Sequence, residues 1–316
     1  MSDSAHRTPL RAAALIDPKA LMSMRNLELR ARLVVEGFWN GLHRSPHHGF
    51  SVEFTEYRQY SPGDDPRYID WRVFARSDRY FIKKFEEETN LRCHLLYDQS
   101  RSMSYGSTGY TKAQYAATLA ATLAYFLHVQ GDAVGLLTFD EAVREYLPAR
   151  HRSDHLRRLL QALEKPSGGR STNLAEPIER ITALVRKRGL IAYVSDFLAP
   201  LDRLEAGWRA LTGCGHEVTV FQVLDPAELT LDFSQASMFE DLESVQRVHI
   251  DPATVRTEYR ARLEAHAAAV RAACQKLGIG YQRISTAQPL ELALFEFLQE
   301  RRRRGRKGAP AGRRRA

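Results

Sequence analysis

The sequence predicts an α/β protein: a mostly parallel sheet flanked by helices, with a β-containing extension at its N-terminal side. Three observations point there. From residue 90 onward, apolar runs of strand length (91–97, 133–139, 190–195 and 217–224) alternate with longer segments whose apolar residues recur at helical spacing. The runs are bounded by turn-forming residues and read as buried strands rather than half-wetted ones. A chain of 316 residues, 44% hydrophobic and 27% charged, is long enough to build the core such a sheet needs.

Taken in order, residues 1–15 read as a solvated, disordered arm carrying Asp3, His6, Arg7 and Arg11. Residues 16–89 read as an N-terminal extension. It opens with a helix over Leu21 to Asn40, on the spacing of Leu27, Leu29, Leu33, Val34 and Phe38. Phe50, Val52 and Phe54 alternate with polar residues as a half-buried strand does, and Ser61 to Pro66 is a dense turn signal. A second strand over Tyr80 to Phe85 ends in Glu86 to Glu88, read as a solvated strand end.

The main domain is expected over 90–300. A strand at 91–97 leads to a helix from Lys112 to Val129, then to a strand at Ala133 to Phe139 with a hairpin partner near Glu145 to Pro148. Helices follow at Ser153 to Glu164 and Leu174 to Lys187, a strand at Leu190 to Ser195, and a helix at Arg203 to Leu211. Glu217 to Leu224 is the next strand. Residues 229–250 read as strands joined by a polar loop, then come a long helix from Thr254 to Lys276, an edge strand at Ile279 to Ile284 and a last helix from Leu290 to Arg302. Gly106 to Lys112 has the look of a phosphate loop but lacks the G-K-[ST] ending, and is read as shaping the start of the first helix.

Net charge is +8, yet its location removes most of its meaning. Residues 301–316 hold nine of the 46 basic residues and no acid, leaving 37 basic against 38 acidic residues elsewhere. The excess therefore belongs to a disordered basic tail, able to make weak, salt-sensitive contacts with nucleic acid or another polyanion. Cys93, Cys214 and Cys274 show no metal or disulfide spacing, and no apolar run reaches membrane-spanning length. With no signal-peptide pattern, the expected setting is a reducing cytoplasm.

The chemistry concentrates at Asp98-Gln99-Ser100-Arg101-Ser102, directly after the strand at 91–97. Ligands of open α/β sheets bind at the carboxyl ends of strands, and a D-x-S-x-S loop there points three oxygens at one spot. Oxygen ligands of low total charge suit a hard cation: Mg²⁺, with Mn²⁺ or Ca²⁺ as alternatives. Two further loops obey the same logic. Ser171-Thr172 precedes a helix, and Asp196 ends the strand begun at Leu190. Ser100, Ser102 and Thr172 would then be direct ligands, with Asp98 and Asp196 binding directly or through water. Ser171 competes with Thr172 for the second-loop position. His47 and His48 read as solvated, and His94 as a satisfied core or edge residue.

This order of loops resembles the von Willebrand factor type A fold and its metal-ion-dependent adhesion site, over roughly residues 90–225. The resemblance assigns Asp98, Ser100 and Ser102 to the first loop, Thr172 to the second and Asp196 to the third. Phe197 departs from it, standing where integrin-like members carry glycine. Upstream, Glu53 to Tyr60, Gly63 to Trp71 and Ala75-Arg76 resemble the hallmark of the bacterial domain-of-unknown-function family DUF58. That resemblance implies a MoxR-type AAA+ ATPase as partner, acting with the chain to mature or remodel an unidentified client protein. Arg58, Asp64, Asp65, Arg67 and Asp70 form either a surface for such a partner or a salt-bridged turn. The expected function is a non-enzymatic, metal-bearing interaction module. The alternatives are a metal-dependent phosphohydrolase using Asp98 and a polyanion binder working through the Arg-rich tail.

Overall fold

The structure is a computed structural model that describes residues 15–43, 56–59, 81–84, 91–166, 175–185, 187–233, 237–240, 247–250 and 252–308. Residues 42–90 form a compact unit of their own. Its described part is an antiparallel pair, β1 (Glu56–Gln59) and β2 (Phe81–Lys84), with Glu56 opposite Lys84 and Gln59 opposite Phe81. Arg58 lies on β1. Asp64, Asp65, Arg67 and Asp70 lie outside the described residues, as do His47, His48 and both second-loop candidates, Ser171 and Thr172.

The other unit is built on six strands in the order β10-β7-β6-β3-β4-β5. They are β3 (Arg92–Asp98), β4 (Ala133–Phe139), β5 (Val143–Arg150), β6 (Leu190–Ser195), β7 (Glu217–Leu224) and β10 (Gly280–Ser285). All neighbours are parallel except β5, which returns antiparallel beside β4 as a hairpin. The expected α/β architecture is present, with β10 as the edge strand. Its inner strands are buried almost end to end, the signature of a sheet covered on both faces.

One face carries α3 (Lys112–Val129), Ala-rich and buried nearly all round. It is enclosed because α1 (Pro18–Ser23) and α2 (Leu27–His43) supply buried residues such as Leu21, Val34 and Phe38, whose ring meets Phe126 edge-on at 6.1 Å. The opposite face carries an aromatic run from Phe139 through Tyr193 and Phe197 to Trp208, with centroids 5.0–5.8 Å apart. Trp208 belongs to α6 (Leu201–Gly213). Residues of α5 (Ala175–Leu184) and α8 (Pro252–Lys276) complete that layer, while α4 (Ser153–Leu163) buries Leu156, Leu159, Leu160 and Leu163.

Three local expectations change. The helix expected over Leu21 to Asn40 is two helices, because Met24 is extended and Asn26 caps the second one, accepting the Leu29 N–H at 2.8 Å. Between β7 and the hairpin of β8 (Ser237–Glu240) and β9 (Arg247–Ile250) stands a short helix, α7 (Pro226–Thr230). Asp225 and Glu228 close a capping box around it, with Pro226 in its first turn. The last helix, expected to end at Arg302, runs on as α9 (Leu290–Gly308), so the first part of the basic run expected as a tail from Arg301 is helical. Arg304 pairs with Glu300 one turn back and donates to the Val218 carbonyl at 3.2 Å, and Arg301 lies over the Phe297 ring. Residues 309–316 are outside the description.

Helix α3 starts at a complete capping box: the Thr111 hydroxyl accepts the Gln114 N–H at 3.1 Å, and the Gln114 amide accepts the Thr111 N–H at 3.0 Å. Thr111→Ala is expected to cost about 1 kcal/mol in urea unfolding, because one helix-end donor loses its partner.

Candidate functional site

In a doubly wound sheet, ligands settle between neighbouring strands whose onward connections leave in opposite directions. Here β3 passes through α3 to β4 on one side, and β6 passes through α6 to β7 on the other. The crevice therefore opens at Asp98 and at Ser195-Asp196. The parallel register of β3 with β6 brings these ends level.

Asp98 is fully buried, and both its carboxylate oxygens are engaged. Oδ1 accepts the Ser100 N–H at 2.8 Å, closing the loop as an Asx turn, and Oδ2 accepts the Ser195 hydroxyl at 2.5 Å. Ser195 in turn accepts the Phe197 N–H at 3.1 Å. The Ser100 and Ser102 hydroxyl oxygens lie 3.1 Å apart, and Ser102 also donates to Asp196. The structure thus brings together Asp98, Ser100, Ser102 and Asp196.

Burial, followed by the nearby charge of Asp196, pushes the Asp98 carboxyl up to about 7. Asp196 is buried too, which alone raises an acid, but the Lys112 ammonium outweighs burial and holds it below the ordinary carboxylate range. Lys112 Nζ lies 2.9 Å from Asp196 Oδ2 and 2.6 Å from Glu228 Oε1, on a side chain with 0% exposure. Burial disfavours its charge, and the two carboxylates more than restore it, leaving it raised. Glu228 is raised, chiefly by burial. Its other oxygen accepts the Asp225 N–H at 2.8 Å. Asp225 receives the Ser107 N–H at 2.9 Å and a hydrogen bond from the Ser107 hydroxyl.

Lys112, Ser195, Asp225 and Glu228 are the residues that sequence reasoning did not assign to the site. A signal existed for three of them. Lysine at the first position of a helix opposes the helix dipole, so a lysine there asks for a local carboxylate. Asp225-Pro226-Ala227-Glu228 has the spacing of a capping box.

Phe197, noted in the sequence as a departure from the glycine of integrin-like members, takes a left-handed conformation with φ of 52°. Its ring is buried between Tyr193 and Trp208, and its carbonyl accepts His266 Nε2 at 2.8 Å. The loop thus holds a glycine-like backbone through side-chain anchorage. Gln222 donates to the Asp196 carbonyl at 2.9 Å and accepts Tyr281 OH at 2.5 Å, fixing the same loop from the β7 side.

Among the described residues no three His, Cys, Asp or Glu side chains gather as a metal cage. A cation in the crevice would rest on hydroxyls beside carboxylates. Two hydroxyl oxygens at the spacing of adjacent ligands, next to a buried acid whose charge burial opposes, fit a small hard cation. A cleft of about 520 Å³ is lined in part by Arg25, Arg30, Tyr97, Gln114, Glu164 and Lys165, and by none of Asp98, Ser100, Ser102 and Asp196.

Residues 56–272 match the family described as protein of unknown function DUF58. The chain belongs to the DUF58 family. An uncharacterized protein of Mycobacterium bovis is 30% identical to this DUF58 chain over 302 residues, covering 94% of it and 93% of the relative. One from Mycobacterium tuberculosis matches to the same extent. Among solved structures, the chain is similar to an aerotolerance-related membrane protein of Bacteroides fragilis carrying multiple mutations to serine. That match has 16% identity and a TM-score of 0.49, and covers 67% of this chain and 99% of the other. It is also similar to BatB of Bacteroides thetaiotaomicron, at 16% identity over the same shares with a TM-score of 0.44. Among the described residues of this DUF58 chain, no helix is long and apolar enough to cross a membrane.

Proposed function

We propose that this DUF58 chain is a non-enzymatic protein-interaction module that captures an acidic side chain of a partner through a divalent cation. Mg²⁺ is the proposed ion, with Mn²⁺ or Ca²⁺ as alternatives. One observation carries the reading: at the crevice between β3 and β6, the Ser100 and Ser102 hydroxyls stand 3.1 Å apart beside the buried Asp98. Neutral hydroxyls orient a cation without cancelling its charge, and a cation so held offers an open position to a carboxylate. The second-loop ligand of this proposal is Thr172, or Ser171 beside it.

The proposed partners are a MoxR-type AAA+ ATPase and a client protein, in the cytoplasm. They follow from the family resemblance, with Arg58, Asp64, Asp65, Arg67 and Asp70 as a second proposed contact surface. Phosphohydrolase chemistry is the weaker reading. Such chemistry wants more carboxylate at the metal and a positioned acid or base, and the hydroxyls of Ser100 and Ser102 supply neither.

Calorimetric titration of MnCl₂ and MgCl₂ tests the reading. One-site binding by the wild type is expected, lost at least a hundredfold in Asp98→Ala and Ser100→Ala variants whose circular dichroism is native. Equal metal binding by the wild type and both variants would remove the site from consideration.

A further inference from the structure

Lys112 is an unusual occupant of a cation site. It stands at the first position of α3, where the helix dipole repels a positive charge, and its ammonium is wholly buried. Segments following three parallel strands converge on it. The segment after β3 carries the lysine itself, the one after β6 supplies Asp196 at 2.9 Å, and the one after β7 supplies Glu228 at 2.6 Å. Glu228 is locked by its bond to the Asp225 N–H, and Asp225 by Ser107 in the segment that precedes α3. The ammonium is thus built into the carboxyl edge of the sheet, on the carboxylate that flanks Ser102.

We propose that Lys112 is a resident counter-cation that sets the charge of the metal centre. By holding Asp196 and Glu228 it prevents one of the two flanking carboxylates from neutralising a divalent ion placed on Asp98, Ser100 and Ser102. The ion then keeps surplus positive charge, which is what capture of a partner carboxylate requires. Affinity for the bare metal is weakened in exchange, because like charges face each other across Asp196. The inference rests on the metal reading given above and adds to it the residue that tunes the centre.

The test is MnCl₂ calorimetry on the full chain in wild-type, Lys112→Met and Glu228→Gln forms, with the fold of each checked by circular dichroism. Lys112→Met is expected to bind Mn²⁺ at least tenfold more tightly, since Asp196 and Glu228 lose their internal cation. Glu228→Gln is expected to bind at least threefold more weakly, since the ammonium stays on Asp196 with one fewer carboxylate around it. If Lys112→Met does not fold, weaker binding by Glu228→Gln supports the inference alone, and unchanged binding overturns it. Wild-type binding that neither variant alters by more than twofold would make Lys112 a structural tie only, overturning this inference while the metal reading stands. Absence of binding by the wild type overturns the metal reading, and this inference with it.

Discussion

Lys112→Met in chelated buffer is expected to lose about 3–5 kcal/mol of unfolding free energy, the usual cost of leaving buried charge without its partner. The ammonium is the close cation of Asp196 and of Glu228, at 2.9 and 2.6 Å. Methionine fills most of the volume and answers neither charge. The urea midpoint should fall at an unchanged slope, since the fold and the surface exposed on unfolding stay the same. The asymmetry between breaking a buried ion pair and replacing it whole gives a sharper form of the experiment. A triple variant, Lys112→Met with Asp196→Asn and Glu228→Gln, is expected to recover at least half of the loss, because no charge is left buried alone. A single-variant loss below about 1 kcal/mol would mean that water reaches these carboxylates, contrary to their burial.

The second large effect is a pH window. His94 lies inside β3, 4% exposed, and its Nδ1 has no hydrogen-bond partner among the described residues. Burial, with repulsion from His216 and Arg92, lowers its pKa to about 4 from the ordinary 6.5. Between those values the unfolded chain binds a proton that the native chain refuses, so stability falls as pH falls from about 6.5 to 4 and changes no further below. The span corresponds to about 3 kcal/mol at roughly 1.4 kcal/mol per unit. His94→Leu should remove this component of the pH profile while leaving stability at pH 8 within about 1.5 kcal/mol. An unchanged acid slope in that variant would assign it to other groups.

His94 also marks the limit of what the strand pattern conveyed. It reads as a satisfied core or edge residue in sequence, yet Nδ1 finds no partner among the described residues, a matter of three-dimensional surroundings that no period of two encodes. The apolar runs behind β3, β4, β6 and β7 were legible because both faces of a parallel sheet demand them. Asp98, Ser100, Ser102 and Asp196 were legible for a related reason: strand ends in such a sheet share one edge, so order along the chain becomes proximity. Lys112 and Glu228 were not assigned, because each has an ordinary local explanation, a helix start and a capping box. Only their convergence from separate loops gives them a common role. The break at Met24 was hidden by apolar spacing that runs through it, and the extent of α9 by a composition that describes a tail as well as a helix.

Phe197 carries a consequence for rates. An L-residue in the left-handed region gives up roughly 1–2 kcal/mol, and the loop retains this backbone because the Phe197 ring is wedged between Tyr193 and Trp208 and its carbonyl is tied to His266. A glycine there would leave the loop free to swing. The phenylalanine ties the loop down, so Asp196 is held in one place before any ligand arrives. For the capture proposed above, association at this edge would be set by diffusion and by the shedding of water, and the lifetime of a complex by how well the incoming group matches a fixed frame.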